Sequence, residues 1–153
     1  MDSAAKGYAV LPPSDARWSD SGLMRIPNVD LGEALRTRQL GARFWRLPPY
    51  SANTWHKHVE QEELYVVLEG TGRMRVGTET LTVARYGAVL VAPSALRQVF
   101  NDTAEEALWL IVGAPRHEGG TRLLEARDFY PEDPRQLPGE LAGRKWPPER
   151  RGR

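Results

Sequence analysis

Residues 63–83 read ELYVVLEGTGRMRVGTETLTV, and the reading of this stretch decides the fold class. Glu63 to Leu68 is β-branched and aromatic and stops at Gly70, the composition of a strand bounded by a turn. From Gly72 to Val76, Arg73 and Arg75 alternate with Met74 and Val76, the period-two pattern of a strand with one wet face. Gly77-Thr78 then turns the chain into Glu79–Val83 and completes a hairpin. So short a stretch leaves no room for crossover helices between these strands.

The same pattern extends outward. Gly41 to Leu47 (GARFWRL) is a predicted strand stopped by Pro48-Pro49, and Thr54 to His58 is another. Downstream, Ala88–Ala92, Leu96–Asn101 and Ala107–Val112 follow, each bounded by turn residues. Regularly spaced short strands between positions 41 and 113 call for an all-β sandwich or barrel rather than a parallel sheet. Before them, Met1 to about Asn28 is rich in Pro, Ser, Asp and Gly and reads as an extended arm, strand-forming at Tyr8, Val10 and Trp18. Asp30-Leu-Gly-Glu33 matches a capping box and opens one helical turn, which Gly32 weakens. Beyond Pro115, Thr121 to Phe129 supports a strand and a short helix about equally. The prolines at 131, 134, 138, 147 and 148 describe a coil draped over the barrel. The expected division is an arm over 1–37, a barrel over 38–113 and an extension over 114–153 with a flexible tail.

Composition narrows the function classes. Apolar residues make up 41% of the 153-residue chain and charged residues 27%, enough for one packed core. Twenty-one basic against 20 acidic residues give a formal charge of +1, which offers no electrostatic case for nucleic acid. The basic run from Arg144 to Arg153 reads as a solvated tail. The chain has no cysteine, which excludes disulfides, thiolate metal sites and cysteine nucleophiles. No basic segment precedes an apolar run at the N-terminus and no stretch reaches the ~20 apolar residues that span a bilayer. A cytoplasmic protein without membrane contact is the expectation.

Two of the three histidines stand together in Trp55-His56-Lys57-His58. On an extended chain residues i and i+2 face the same way, so both imidazoles point to one side. Side by side they favour a cation between them, since protonating both places like charges in contact. Glu63 follows five positions later, after a segment long enough to turn the chain back beside them. Two imidazole nitrogens and a carboxylate suit zinc, manganese or non-haem iron. Glu60 and Glu62 flank Glu63, but the strand phase, with Tyr65 and Val67 on the same face, favours Glu63. His117 falls after the last barrel strand and reads as a loop residue.

These residues resemble the first motif of the cupin superfamily: Gly, five residues, His-x-His, three or four residues, Glu, six residues, Gly. His56, His58, Glu63 and Gly70 fall on it, while Tyr50 replaces the opening glycine. The family's second motif is Gly, five residues, Pro-x-Gly, two residues, His, three residues, Asn. Gly87 and Pro93 match it, Ala95 and Asp102 depart from it, and Gln98 occupies the place of the fourth ligand, a histidine. The resemblance covers roughly 38 to 113. It implies a double-stranded β-helix, the jelly-roll barrel, with a divalent Mn, Fe, Ni or Zn ion on His56, His58 and Glu63. Gln98 is either a fourth ligand or a hydrogen-bonding residue inside the barrel. A divalent ion with Glu63 leaves the site near +1, which favours an anionic small-molecule ligand. Trp45, Tyr65, Met74, Val91 and Phe100 are either lining for that ligand or plain core. Arg43 is either a partner for a ligand carboxylate or an exposed strand residue. The resemblance also implies a homodimer. The functions it implies are a metal-dependent isomerase, lyase or dioxygenase, or else a non-catalytic sensor or storage barrel with a degenerate metal site.

Overall fold

The computed structural model describes residues 3–116 and 124–149. Within it, β5 (Glu62–Glu69) and β6 (Gly72–Val76) are consecutive in the chain but lie in opposite sheets. The corner between them is made by Gly70 at φ +71°, where a Cβ would come within 2.3 Å of the Glu106 carbonyl oxygen. No side chain fits there. The hairpin read from the sequence is present: β6 pairs with β7 (Glu79–Val83) around Gly77, itself at φ +57°.

The other strands are β1 (Ser19–Asp20), β2 (Pro27–Asp30), β3 (Gly41–Leu47), β4 (Ser51–Ala52), β8 (Ala88–Val91), β9 (Arg97–Asn101) and β10 (Ala107–Ala114). One antiparallel sheet has the order β1-β2-β3-β10-β5-β8 and the other β4-β9-β6-β7. Face to face they form the expected jelly-roll barrel. Between them lie Tyr65, Val67, Met74, Val91, Val99 and Trp109, all almost fully buried. Each such side chain contributes about 1.5–3 kcal/mol by leaving water. The Trp109 ring meets Tyr65 edge to face at 6.0 Å.

The arm and the extension are more ordered than their composition indicates. β1 and β2 pair with each other, and β2 with β3, so the arm widens the first sheet. Tyr8 and Val10 remain exposed. The Asp30 carboxylate accepts the Glu33 N–H at 2.9 Å and opens α1 (Leu31–Leu35), a single turn as its glycine implies. Beyond the barrel, the described part of 121–129 contains α2 (Ala126–Phe129), a helical turn; Thr121 to Leu123 lie outside the described residues, as do His117 and Arg150 to Arg153. The proline-rich coil does more than drape. Leu141 is fully buried in the core, and the Trp146 indole N–H donates to the Met24 carbonyl at 2.8 Å. This segment also covers the face of β6 that was expected to be wet: the Arg75 guanidinium donates to the Gln136 carbonyl at 3.1 Å and lies over the Trp55 ring.

Residues 54–58 do not form the expected regular strand. Only an isolated bridge joins His56 to Arg97, and the ladder strand of this region is the shorter β4. Among the described residues no helix is long and apolar enough to cross a membrane.

Candidate metal centre

Although 54–58 is not a ladder strand, its backbone still alternates. The Trp55 and Lys57 N–H groups donate outward to the carbonyls of Pro134 and Phe129 in the C-terminal extension, at 3.0 and 2.9 Å. Those of His56 and His58 donate the other way, to Arg97 and Pro93, at 3.1 and 2.9 Å. The segment is therefore pinned from both sides in an extended form, and both imidazoles face the barrel. Their ring centroids lie 5.0 Å apart, edge to face, and the Phe129 ring meets His58 at 5.9 Å.

Glu63 comes to them from β5. Its Oε1 lies 3.0 Å from His58 Nε2 and 3.6 Å from His56 Nε2, and the three ligating atoms are all within 4.8 Å of one another. His56 Nδ1 sits 3.0 Å from the Thr54 carbonyl oxygen. A carbonyl only accepts, so Nδ1 carries a proton, and in the neutral ring Nε2 turns its lone pair toward the cluster, the arrangement common in metal-binding histidines. Burial pushes the Glu63 carboxyl up, but hydrogen bonds from His56 and His58 and their charge outweigh it and hold the group well below the usual carboxylate range. Glu63 is therefore an anion at neutral pH. With two nitrogens and one oxygen converging, the residues fit a divalent transition metal.

Gln98 does not join this cluster. Its amide oxygen accepts from Arg75 Nε at 2.7 Å, and its amide nitrogen donates to the carbonyls of Asn53 and Gln136 at 2.7 and 3.0 Å. All of these lie on the side of β9 covered by the extension. The residue that β9 turns toward Glu63 is Arg97, fully buried, with Nη2 at 3.2 Å from Glu63 Oε1. Its Nε donates to the Tyr65 hydroxyl at 3.3 Å, and Tyr65 donates to the same Glu63 oxygen at 2.8 Å. Burial above all, and next the charge of Glu63, push the Tyr65 phenol well up, so it stays a donor. Arg97 was legible from one signal. Asn101, not Asp102, is the buried asparagine whose amide donates to the Leu47 and Pro48 carbonyls, at 3.2 and 3.1 Å. Counting His-x-x-x-Asn back from Asn101 lands on Arg97, so the segment after Pro93 is one residue shorter than the motif.

A cavity of about 760 Å3 opens above the cluster, lined by His56, His58, Glu63 and Trp45 together with Asn53, Thr54, Gln61, Arg116 and Tyr130. Of the five residues expected to line a ligand pocket, only Trp45 does so. Tyr65, Met74 and Val91 point inward but are sealed into the core, and Phe100 faces the other side of β9 beneath Arg73. The lining is thus mixed, with polar side chains beside apolar ones such as Trp45 and Ile111. Arg43 also reaches the cavity, but its guanidinium is held by Asp30 at 2.7 Å and the Asn28 side-chain oxygen at 2.7 Å.

Residues 43–113 match the family model described as Cupin domain. The chain belongs to the cupin superfamily. A relative from Streptomyces coelicolor, described as the uncharacterized protein SCO3923, is 31% identical over 81 residues, which make up 53% of this cupin and 75% of the relative. Among solved structures, a sugar phosphate isomerase of the cupin superfamily from Silicibacter pomeroyi superposes with a TM-score of 0.63 at 21% identity, covering 69% of this chain and 75% of that one. A predicted oxalate decarboxylase from Thermotoga maritima gives 0.63 at 18% identity, with 70% and 99% covered. At such identities the likeness is one of fold, and the two names differ in chemistry although the barrels agree.

Proposed function

We propose that this cupin holds one divalent transition metal on His56, His58 and Glu63 and binds or transforms a small anionic ligand in the cavity above it. The observation that carries the reading is the convergence of three ligating atoms within 4.8 Å at the floor of that cavity. When bound, the metal supplies Lewis-acid polarisation of a ligand oxygen. The chain supplies the rest. Thr54 fixes the tautomer of His56, and Tyr65 and Arg97 hold the Glu63 carboxylate in place. Asn53, Thr54, Gln61 and Tyr130 offer polar groups to a ligand, with Arg116 as a cationic one. These polar groups favour an oxygen-rich small acid over an apolar or aromatic ligand.

The test is the metal content of protein purified without a histidine tag, beside a variant with His56→Ala and His58→Ala together. Near-stoichiometric metal is expected in the first and none in the second. Metal at 100 times its dissociation constant adds about 2.7 kcal/mol of stability, so thermal unfolding reports the same event. Absence of metal from both, with no shift on adding Mn, Fe, Ni or Zn, sinks the proposal. One observation favours a second reading, a ligand-binding barrel that works without metal: the Arg97 guanidinium already neutralises Glu63.

A homodimer belongs to the same proposal. On the outer side of β5 and β8, Leu64 and Leu90 pair while 40% and 64% exposed. An antiparallel sheet with a solvated face normally carries polar residues there. Sedimentation should show a dimer that Leu64→Lys with Leu90→Lys converts to a monomer; a wild-type monomer at micromolar concentration refutes it.

A further inference from the structure

Two nitrogens of the Arg97 guanidinium are hydrogen-bonded within the barrel, and the third makes an ion-pair contact alone. Nη1 donates to the carbonyls of Pro93 and Ala95 at 2.9 and 2.7 Å, Nε to the Tyr65 hydroxyl at 3.3 Å, and Nη2 lies 3.2 Å from Glu63 Oε1. The side chain has no exposed surface. A guanidinium keeps its charge throughout the accessible pH range and has no lone pair to give a metal. A permanent cation therefore occupies the wall from which a fourth ligand would enter, ion-paired with the acid of the cluster.

We propose that Arg97 is a positioning residue that weakens the binding of the bare metal ion and makes that binding depend on an anion from the cavity. The inference rests on the metal reading above. Arg97 acts in two ways. It shares the Glu63 oxygen that the metal needs, and it places a like charge beside the ion. A divalent ion and Arg97 carry three positive charges against the one negative charge of Glu63, so the loaded site stands at +2. A small anion bearing a carboxylate or phosphate lowers that charge and fills positions that three protein ligands leave open. Anion and metal then raise each other's affinity by the same factor.

The test uses full-length, metal-free protein titrated with Co2+ and followed by its visible absorption, with and without formate, an anion that chelates free cobalt weakly. Arg97→Lys keeps the charge, Arg97→Met removes it at similar length, and Arg97→His offers a fourth nitrogen. Without formate, Arg97→Met should bind Co2+ at least about tenfold tighter than wild type, and Arg97→Lys should stay within about threefold. Arg97→His should bind tightest and shift the cobalt bands. Formate should strengthen cobalt binding about tenfold in wild type and less than about threefold in Arg97→Met. A folded Arg97→Met variant no tighter than wild type, or an equal formate effect in both, overturns the proposal. If Arg97→Met fails to fold, Lys and His decide: equal affinity in those two overturns it as well. Wild type and all variants binding alike leaves the metal reading standing without this role for Arg97. Cobalt bound by Arg97→His but not by wild type does the reverse, and binding by none removes both.

Discussion

The two faces of β9 are both buried, but for different ends. Arg97 and Val99 look into the barrel, where the guanidinium holds Glu63 and Tyr65 and the valine packs in the core. Gln98 and Phe100 look the other way, under the C-terminal extension, where the amide joins Arg75 to the Asn53 and Gln136 carbonyls. One face tunes a charged site, while the other fastens a strap to the barrel. A single strand can serve both because neighbouring side chains diverge, so a change on one face need not reach the other. Polar residues in a strand buried on both sides thus divide between function and assembly according to the layer each one meets.

The larger effect expected from breaking this division is at Gln98. Gln98→Ala leaves the Arg75 Nε and two carbonyl oxygens without the amide, with partial access to water. The expected loss is about 2 kcal/mol of unfolding free energy, measured by urea denaturation of metal-free protein. Affinity for Co2+ should stay within about threefold of wild type, because the amide touches none of the three converging ligands. A loss of cobalt binding with little loss of stability would put Gln98 in the metal site after all and erase the distinction between the faces.

The same division explains what could be read from the amino-acid order. His56, His58 and Glu63 were legible because their positions follow local rules: two side chains on one side of an extended segment, and a strand phase that puts Glu63 with Tyr65. The all-β class was legible because β5 to β7 are short, patterned and separated by glycines that the turns require. Arg97 was not. In Arg97-Gln-Val-Phe-Asn101 every residue is buried, so no alternation of polar and apolar positions marks the barrel side. Counting forward from Pro93 then assigned the site to Gln98, one residue too far. The cover over Arg73 and Arg75 escaped for a related reason. It comes from a proline-rich segment some sixty positions away, which meets Arg75 with the Gln136 backbone carbonyl and Arg73 with the Glu140 carboxylate at 3.9 Å, and a backbone carbonyl carries no side-chain signature. Tyr65, Met74 and Val91 share the inward face with Glu63, and only the three-dimensional packing separates closed core from open cavity.

The smaller effect expected is the response to acid, and it sharpens the comparison because only one face of β9 meets a titrating acid of the metal cluster. In the folded chain His56 and His58 outweigh burial and hold the Glu63 carboxyl well below its ordinary range. In the unfolded chain the group returns to about 4.3. Between the folded and unfolded values the unfolded chain binds the proton and the folded chain does not, so stability rises with pH across that window. The contribution is complete above the unfolded value and disappears as pH falls through the folded one. Metal-free wild type should therefore lose urea resistance between about pH 5 and pH 3 more steeply than Glu63→Gln, which has no proton to take up. Gln98→Ala, although less stable throughout, should keep the wild-type slope, since it removes a neutral amide from the other face. Equal acid slopes in wild type and Glu63→Gln would mean that the histidines do not hold Glu63 ionised in the metal-free barrel. The carboxyl would then titrate as in the unfolded chain, already ionised at neutral pH, and metal binding would release a proton from it only below about pH 5.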